Sequence, residues 1–328
     1  MSDGNMNLSQ AIEHASTLFV PEFLFGFDEA NLNAERENNE QAIKCLHEEW
    51  FASENPGFSY DLVRELADRN RALCDNMDAI ALENIRGLNL SRGLSENDVL
   101  RGIAALQHRK PETIQKEIMR ANSTLGVAYA SKQVKGTILG IDIETTSREP
   151  DRGYIINVGF ELMDLSGENA GTPYDSCSAF CGIPEIYREA GVPLQRIHQI
   201  TWEQLEGRTP FREDKKMQAE LLKIMKKRPF MAHNAAFEDA WFMLNLDGYA
   251  EARKAGQIIP IDSRSICREL DPEVRKLPFD SHPASLENWA RRRGTLAPDQ
   301  AERHLGLDDT DLMLRTVYAE FKERNIVG

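Results

Sequence analysis

Three short stretches of this 328-residue chain hold side chains of the kind that bind cations and move protons. Asp142 and Glu144 stand two apart in a run that reads Thr137, Ile138, Leu139, Gly140, Ile141, Asp142. A short apolar run of this type forms a buried strand, and its period of two places both carboxylates on one face. Two like charges buried there without a partner repel each other and lose their hydration. A divalent cation relieves that cost, since Mg²⁺ and Mn²⁺ prefer oxygen ligands. A strand end fraying into solvent at Glu144 relieves it as well.

The second stretch runs His233, Asn234, Ala235, Ala236, Phe237, Glu238, Asp239 at a strand-to-helix junction. Asn234 has the side chain of an N-cap, and Glu238 and Asp239 then fall in the first turns of the helix. Acidic residues in that place serve equally as metal ligands and as complements of the helix dipole. In the third stretch His304 stands five residues before Asp309, in a loop that leads into the acidic start of the last helix. On its own a loop histidine is explained by solvation.

The elements that must position these groups follow from hydrophobic period and turn residues. Strands are expected over 137–142, 154–162 and 176–182, with Leu165, Ser166 and Gly167 turning the chain after the second. An amphipathic helix over 211–227, a strand over 229–232, a helix over 235–246 and a strand over 258–262 come next. Helices over 263–270, 285–293 and 308–323 complete the chain. Hairpin-linked strands followed by alternating helix and strand make a mixed sheet with helices on its faces. Trp241, Phe242 and Leu246, at helical spacing behind Glu238, read as core.

Before residue 137 the pattern is helical. Apolar positions recur every three or four residues over 38–51 and 60–82, as at Leu62, Leu66, Leu73 and Met77. Ser95 resembles an N-cap, and Pro111 opens a short helix over 112–121. No chemistry-bearing motif appears here, so 1–136 reads as a helical accessory region and 137–328 as the domain that carries the chemistry.

The formal net charge is -14, and it is unevenly placed: residues 1–100 carry a net of -12, 101–136 a net of +5, and the remainder a net of -7. Such a balance argues against coating nucleic acid by bulk attraction, which takes clustered Lys and Arg. Lys215, Lys216, Lys223, Lys226, Lys227 and Arg228, with Arg291, Arg292 and Arg293, form basic clusters that suit either a solvated face or contact with phosphates. Five cysteines, odd in number and without a CxxC pair, read as free thiols. A polar N-terminus without a signal-like run, and no stretch of about 18 apolar residues, lead to the expectation of a soluble cytoplasmic protein with no membrane contact.

Taken together and in order, IDIETT at 141–146, AHNAAFED at 232–239 and HLGLDD at 304–309 resemble the motifs of the DnaQ-like (DEDDh) family of 3′-to-5′ exonucleases. The resemblance covers roughly 137–328. It extends to Ile155, Ile156, Asn157, Val158, Gly159 as a second strand, and to Ile197, His198, Gln199, Ile200, Thr201 as a loop. Ile261, Asp262, Ser263 and Ser285, Leu286, Glu287, Asn288, Trp289 match two further segments.

That resemblance implies a ribonuclease H-like α/β fold, a mixed five-stranded sheet with flanking helices, preceded here by the helical N-terminal region. It implies two Mg²⁺ or Mn²⁺ ions held by Asp142, Glu144, Glu238 and Asp309, clamping the attacking and leaving oxygens of an in-line displacement at phosphorus. His304 would be the general base. Thr145 and Thr146 lie where the family holds the 3′-terminal nucleotide, and His198 and Asn234 are further substrate-contact candidates. For His198 and His233 the alternative is a structural or hydrogen-bonding role. One departure stands out: the family has Asp directly after the Phe of the second motif, and this chain has Glu238 there, with Asp239 one step further. Asp239 is turned by about 100° around the helix axis, so Glu238 is the expected ligand.

The expected substrate is the 3′ end of single-stranded DNA or RNA, with a protein partner reached through the N-terminal helices. The alternative is a nucleic-acid-binding or adaptor protein on the same fold with catalysis lost, which the Glu238 departure favours.

Overall fold

The computed structural model describes residues 6–16, 29–89, 135–277 and 282–327. The expected N-cap at Ser95 and the helix over 112–121 lie outside the described residues. Three helices come first: α1 (Leu8–Ser16), α2 (Glu29–Ala52) and α3 (Asp61–Asn89). The sheet begins with β1 (Thr137–Thr145), β2 (Ile155–Asp164) and β3 (Pro173–Phe180). Short helices α4 (Ile186–Ala190), α5 (Gln195–His198) and α6 (Trp202–Leu205) lead to α7 (Lys215–Met225). Then follow β4 (Phe230–Ala232), α8 (Ala236–Asn245), α9 (Tyr249–Lys254), β5 (Pro260–Asp262) and α10 (Ser263–Leu270). A 3₁₀ turn at His282–Ala284 precedes α11 (Leu286–Arg293) and α12 (Gly306–Glu323).

The five strands lie in the order β3-β2-β1-β4-β5. β3, β2 and β1 pair antiparallel, whereas β1, β4 and β5 run parallel. That order and sense are those of a ribonuclease H-like sheet. β1 extends to Thr145, three residues beyond the expected end, because Asp142, Ile143 and Glu144 continue the ladder opposite Gly159, Val158 and Asn157. β3 begins three residues earlier than expected, pairing Pro173 with Met163. The helix expected from Phe211 starts instead at Lys215, where the Asp214 carboxylate accepts the Met217 N–H at 2.9 Å.

The alternation along β1 sorts its side chains between two cores. Leu139, Ile141 and Ile143 face a core that also contains Trp241, Phe242 and Leu246 of the α8 segment, all fully buried. Ile138 faces a second core with Met313, Leu314, Val317 and Phe321 of α12. The first core is shared with the N-terminal helices, through Ala11 and Ala15 of α1, Ile43 and Leu46 of α2, and Val63 and Leu66 of α3. Ion pairs strengthen the same junction. Arg64 bonds Glu251 of α9 at 2.9 Å, and Arg212 bonds Asp68 at 2.8 Å and Asp247 at 2.6 Å.

All five cysteines are free thiols. Among the described residues no helix is long and apolar enough to cross a membrane.

Candidate active site

Gly140, Asp142 and Glu144 occupy the β1 face that α12 covers. Their cross-strand partners on β2 are Glu161, Gly159 and Asn157. A Cβ on Gly140 would lie 2.7 Å from Thr310 Cγ2 and 2.8 Å from Leu314 Cδ1, so α12 packs directly on the strand there. At Gly159 the approach is closer still and involves backbone. A Cβ there would fall 1.9 Å from Leu307 N and 2.0 Å from Gly306 C. Asn157 Oδ1 accepts the Gly306 N–H at 2.9 Å, while its amide group donates to Ala179 O at 3.0 Å. These contacts set the first turn of α12 beside the end of β1, which brings Asp309 to Asp142 and Glu144.

α8 delivers the next carboxylate. It starts just past the end of β4, and β4 runs parallel to β1, so both chain ends reach the same edge of the sheet. The expected side-chain N-cap at Asn234 is not formed. Asn234 is in the left-handed region at φ 77°, and α8 begins after Ala235 with no side-chain cap of its own. Instead Asp262, at the end of β5, holds the turn before α8 from 28 residues away. Its Oδ1 accepts the N–H groups of Asn234 at 2.9 Å, Ala235 at 3.3 Å and Arg264 at 3.1 Å, so one carboxylate ties the turn before α8 and caps α10.

Glu238 and Asp239 diverge as the helical period requires. Asp239 is enclosed on the far side, accepting from Tyr249 Oη at 2.6 Å and Arg253 Nε at 3.1 Å. Glu238 turns toward β1, is 2% exposed, and its buried Oε2 has no hydrogen-bond partner among the described residues. Asp142 Oδ2 and Asp309 Oδ1 are buried and unpartnered in the same way.

Burial raises the Asp142 carboxyl well above its ordinary range, and the negative charges of Glu144, Glu238, Asp309 and Glu302 raise it further. Burial and the charges of Asp309 and Glu302 push Glu144 up to about 9, and burial and Glu302 push Asp309 up to about 8. Glu238 is likewise well above its ordinary range, through burial first and then the charges of Asp262, Glu144 and Asp239. The strongest charges acting on each of the four are thus other carboxylates. An all-oxygen set of clustered carboxyl groups of this kind fits a hard divalent cation.

His304 completes the cluster from the loop before α12. One ligand atom each from Glu144, His304 and Asp309 lies within 4.8 Å of the others, and His304 Nδ1 is 3.9 Å from Asp309 Oδ2. The His304 side chain is 43% exposed, whereas Asp309 is 6% exposed, so the ring stands at the mouth of the acidic pocket. Its backbone is left-handed at φ 51°, a conformation that costs energy for a residue with a Cβ and is held by its surroundings. Glu287 Oε2 accepts the Glu302 N–H at 3.0 Å, and Arg291 donates to Gln300 O at 2.7 Å while pairing with Glu287 at 2.7 Å.

The other sequence candidates are built into the scaffold. Thr145 Oγ1 donates to Ser147 O at 2.6 Å, and Thr146 Oγ1 accepts the Tyr154 N–H at 2.9 Å; both threonines are buried just past Glu144. His198 is 1% exposed, with Nδ1 accepting the Ile200 N–H and Nε2 donating to Pro193 O, each at 3.0 Å. Both ring nitrogens are thus used within its own loop, the hydrogen-bonding role weighed for it from the sequence. His233 bridges Ser263 Oγ and Ala284 O at 3.0 Å each, and burial lowers its imidazole to about 4.

Glu302 is the acidic neighbour that motif reading missed. It sits two residues before His304, where only the folded loop shows that its charge acts on Asp142, Glu144 and Asp309.

No protein-family model and no curated protein matches the sequence. Among solved structures, the zinc-bound form of an E. coli ExoI-ssDNA complex is similar at 13% identity and a TM-score of 0.42, over 58% of this chain and 42% of that one. The RNase domain of the yeast Pop2 protein is similar at 15% identity and a TM-score of 0.42, over 69% of this chain and 84% of that one. This chain therefore spans less than half the length of the ExoI chain, and at such low likeness neither match bears on its activity.

Proposed function

We propose that the chain is a DnaQ-like 3′-to-5′ exonuclease that hydrolyses phosphodiester bonds at the 3′ end of DNA or RNA with two divalent cations, Mg²⁺ or Mn²⁺. The observation that carries the reading is the convergence of unpartnered buried oxygens of Asp142, Glu238 and Asp309, with Glu144 among them, beneath the half-exposed ring of His304. Asp142, Glu144, Glu238 and Asp309 hold the cations. When bound, the cations supply positive charge that draws in the scissile phosphate and stabilises the charge developing on the attacking and leaving oxygens.

The chain's own groups do the rest. His304 takes the proton of the attacking water as it adds in line to phosphorus, and its place at the pocket mouth leaves the ring open to that water. Thr145 and Thr146 shape the floor on which the terminal nucleotide rests, their hydroxyls turned inward to hold the turn. Asn234, half-buried at the turn before α8, is a further contact for that nucleotide in this reading. The free thiols suit a reducing cytoplasm. A protein partner docked through the N-terminal helices would make the enzyme a proofreading or processing subunit.

Digestion of single-stranded DNA and RNA, each with free and blocked 3′ ends, tests the proposal. Release of mononucleotides from free 3′ ends, dependent on metal and absent in Asp142→Asn, is expected. Metal-dependent binding without shortening of any substrate would instead favour the adaptor reading, for which the Glu238 departure is the specific observation.

A further inference from the structure

We propose that α2 and α3 are positioning elements of the reaction centre, which they serve by fixing the loop 147–153 that joins β1 to β2. The proposal rests on the reading of Asp142, Glu144, Glu238 and Asp309 as that centre. The loop leaves β1 directly after Glu144, Thr145 and Thr146, and every one of its residues except Arg148 is buried. The helices reach it by side chains from both α2 and α3. Asn70 donates to Asp151 Oδ2 at 2.8 Å, Arg71 donates to Pro150 O at 2.7 Å, and Glu40 pairs with Arg152.

A buried polar chain leads back from that contact across all three helices. Asn70 Oδ1 accepts from Asn39 Nδ2 at 3.3 Å, and Asn39 Oδ1 bonds His14 Nε2 at 2.8 Å. The base of the loop is held as well. Thr146 N–H donates to Tyr154 O at 3.0 Å, and the Tyr154 hydroxyl donates to Asp75 of α3. Pro150 O also accepts from Asn245 of α8 at 3.3 Å, so α3, α8 and the loop meet at one carbonyl. α8 carries Glu238. The helices thus brace two of the strands and helices that bear carboxylates, and a shift of the loop moves the turn at Thr145 and Thr146 with it.

Positioning of this kind matters because misplacing reacting groups by about 1 Å costs on the order of 100-fold in rate. Arg71→Met removes the bond to Pro150 O together with the ion pair to Asp68, Arg71→Lys can restore them, and Asn70→Ser removes the contacts to Asp151 and Asn39. Full-length variants are compared by circular dichroism, hydrogen exchange of the backbone amides of 145–154, Mn²⁺ titration, and kcat and KM.

In folded Arg71→Met or Asn70→Ser, exchange over 145–154 should quicken at least about tenfold, as the free energy of local opening falls. The rate constant kcat should fall about 10- to 100-fold with little change in KM, and Arg71→Lys should recover most of both. A folded variant with wild-type exchange and wild-type kcat overturns the proposal. Should the unaltered protein prove to lack nuclease activity, the reading of the site fails, while exchange and Mn²⁺ affinity still decide whether the helices position the loop.

Discussion

Gly159 and Gly306 meet backbone against backbone, with the Gly306 carbonyl carbon 2.0 Å from where a Cβ on Gly159 would stand. Across the strands Gly159 faces Asp142, so this backbone contact of α12 with the sheet falls at the first carboxylate. A methyl group at Gly159 cannot be absorbed by a side chain turning aside, because the atoms it meets are main chain. Gly159→Ala is expected to lower stability by about 1–3 kcal/mol and to weaken Mn²⁺ binding, since α12 carries Asp309. Calorimetric unfolding and Mn²⁺ titration check both, and wild-type metal affinity in the variant would show that the helix keeps its place.

Glu238 and Asp239 should separate in their effects. Asp239→Ala leaves Arg253 and Tyr249 without their buried acceptor, and about 3 kcal/mol of stability should be lost with metal affinity kept in whatever protein remains folded. Glu238→Gln replaces a carboxyl that burial and like charges hold well above its ordinary range with an amide that never ionises. The metal-free protein should gain about 1 kcal/mol, while Mn²⁺ affinity drops sharply. The reverse pattern in thermal unfolding and metal titration would make Asp239 the ligand.

Stability without metal should fall as pH rises. Glu144 and Asp309, raised to about 9 and about 8 from 4.5 and 3.8, favour the folded state as neutral carboxyls. Their contribution is complete below their unfolded values and is lost as pH climbs through their folded ones. Buried His47 and His233, each lowered to about 4, are uncharged in folded and unfolded chains alike above about pH 7.5 and leave that window to the carboxylates. In chelator, the unfolding temperature should therefore drop between about pH 7.5 and 9, and Mn²⁺ should shrink the drop. A flat profile in chelator contradicts the arrangement.

His304→Ala tests the division of labour between base and ligand. Turnover should fall on the order of 10²- to 10⁴-fold with Mn²⁺ affinity retained. The 3.9 Å from its ring to Asp309 also permits ligation. Loss of metal from the variant, measured by titration, would assign the ring that role.

What could be read in advance was local. The period of two in Ile141 to Glu144 and the helical period past Glu238 are short-range facts, and they place Asp142 and Glu144 together and turn Asp239 away from Glu238. The Asn234 side chain does not cap α8 because the turn there is held through its backbone N–H groups by a carboxylate from another strand, Asp262. Glu302 escaped notice because its influence is electrostatic and depends on how the loop before α12 closes. The union of α3 with the loop 147–153 pairs Asn70 with Asp151 across 81 positions, a separation at which no periodicity signals contact.

Metal-dependent hydrolysis from the 3′ end is measured by an end-resolved digestion. Single-stranded DNA and RNA labelled at the 5′ end are incubated with the full chain and Mn²⁺ or Mg²⁺, alongside Asp142→Asn and Asp309→Asn. A ladder of products shortened one nucleotide at a time from the 3′ end, lost in chelator and in both variants, is expected. Intact substrate with the unaltered protein in either metal, or a ladder that persists in both variants, would contradict that expectation.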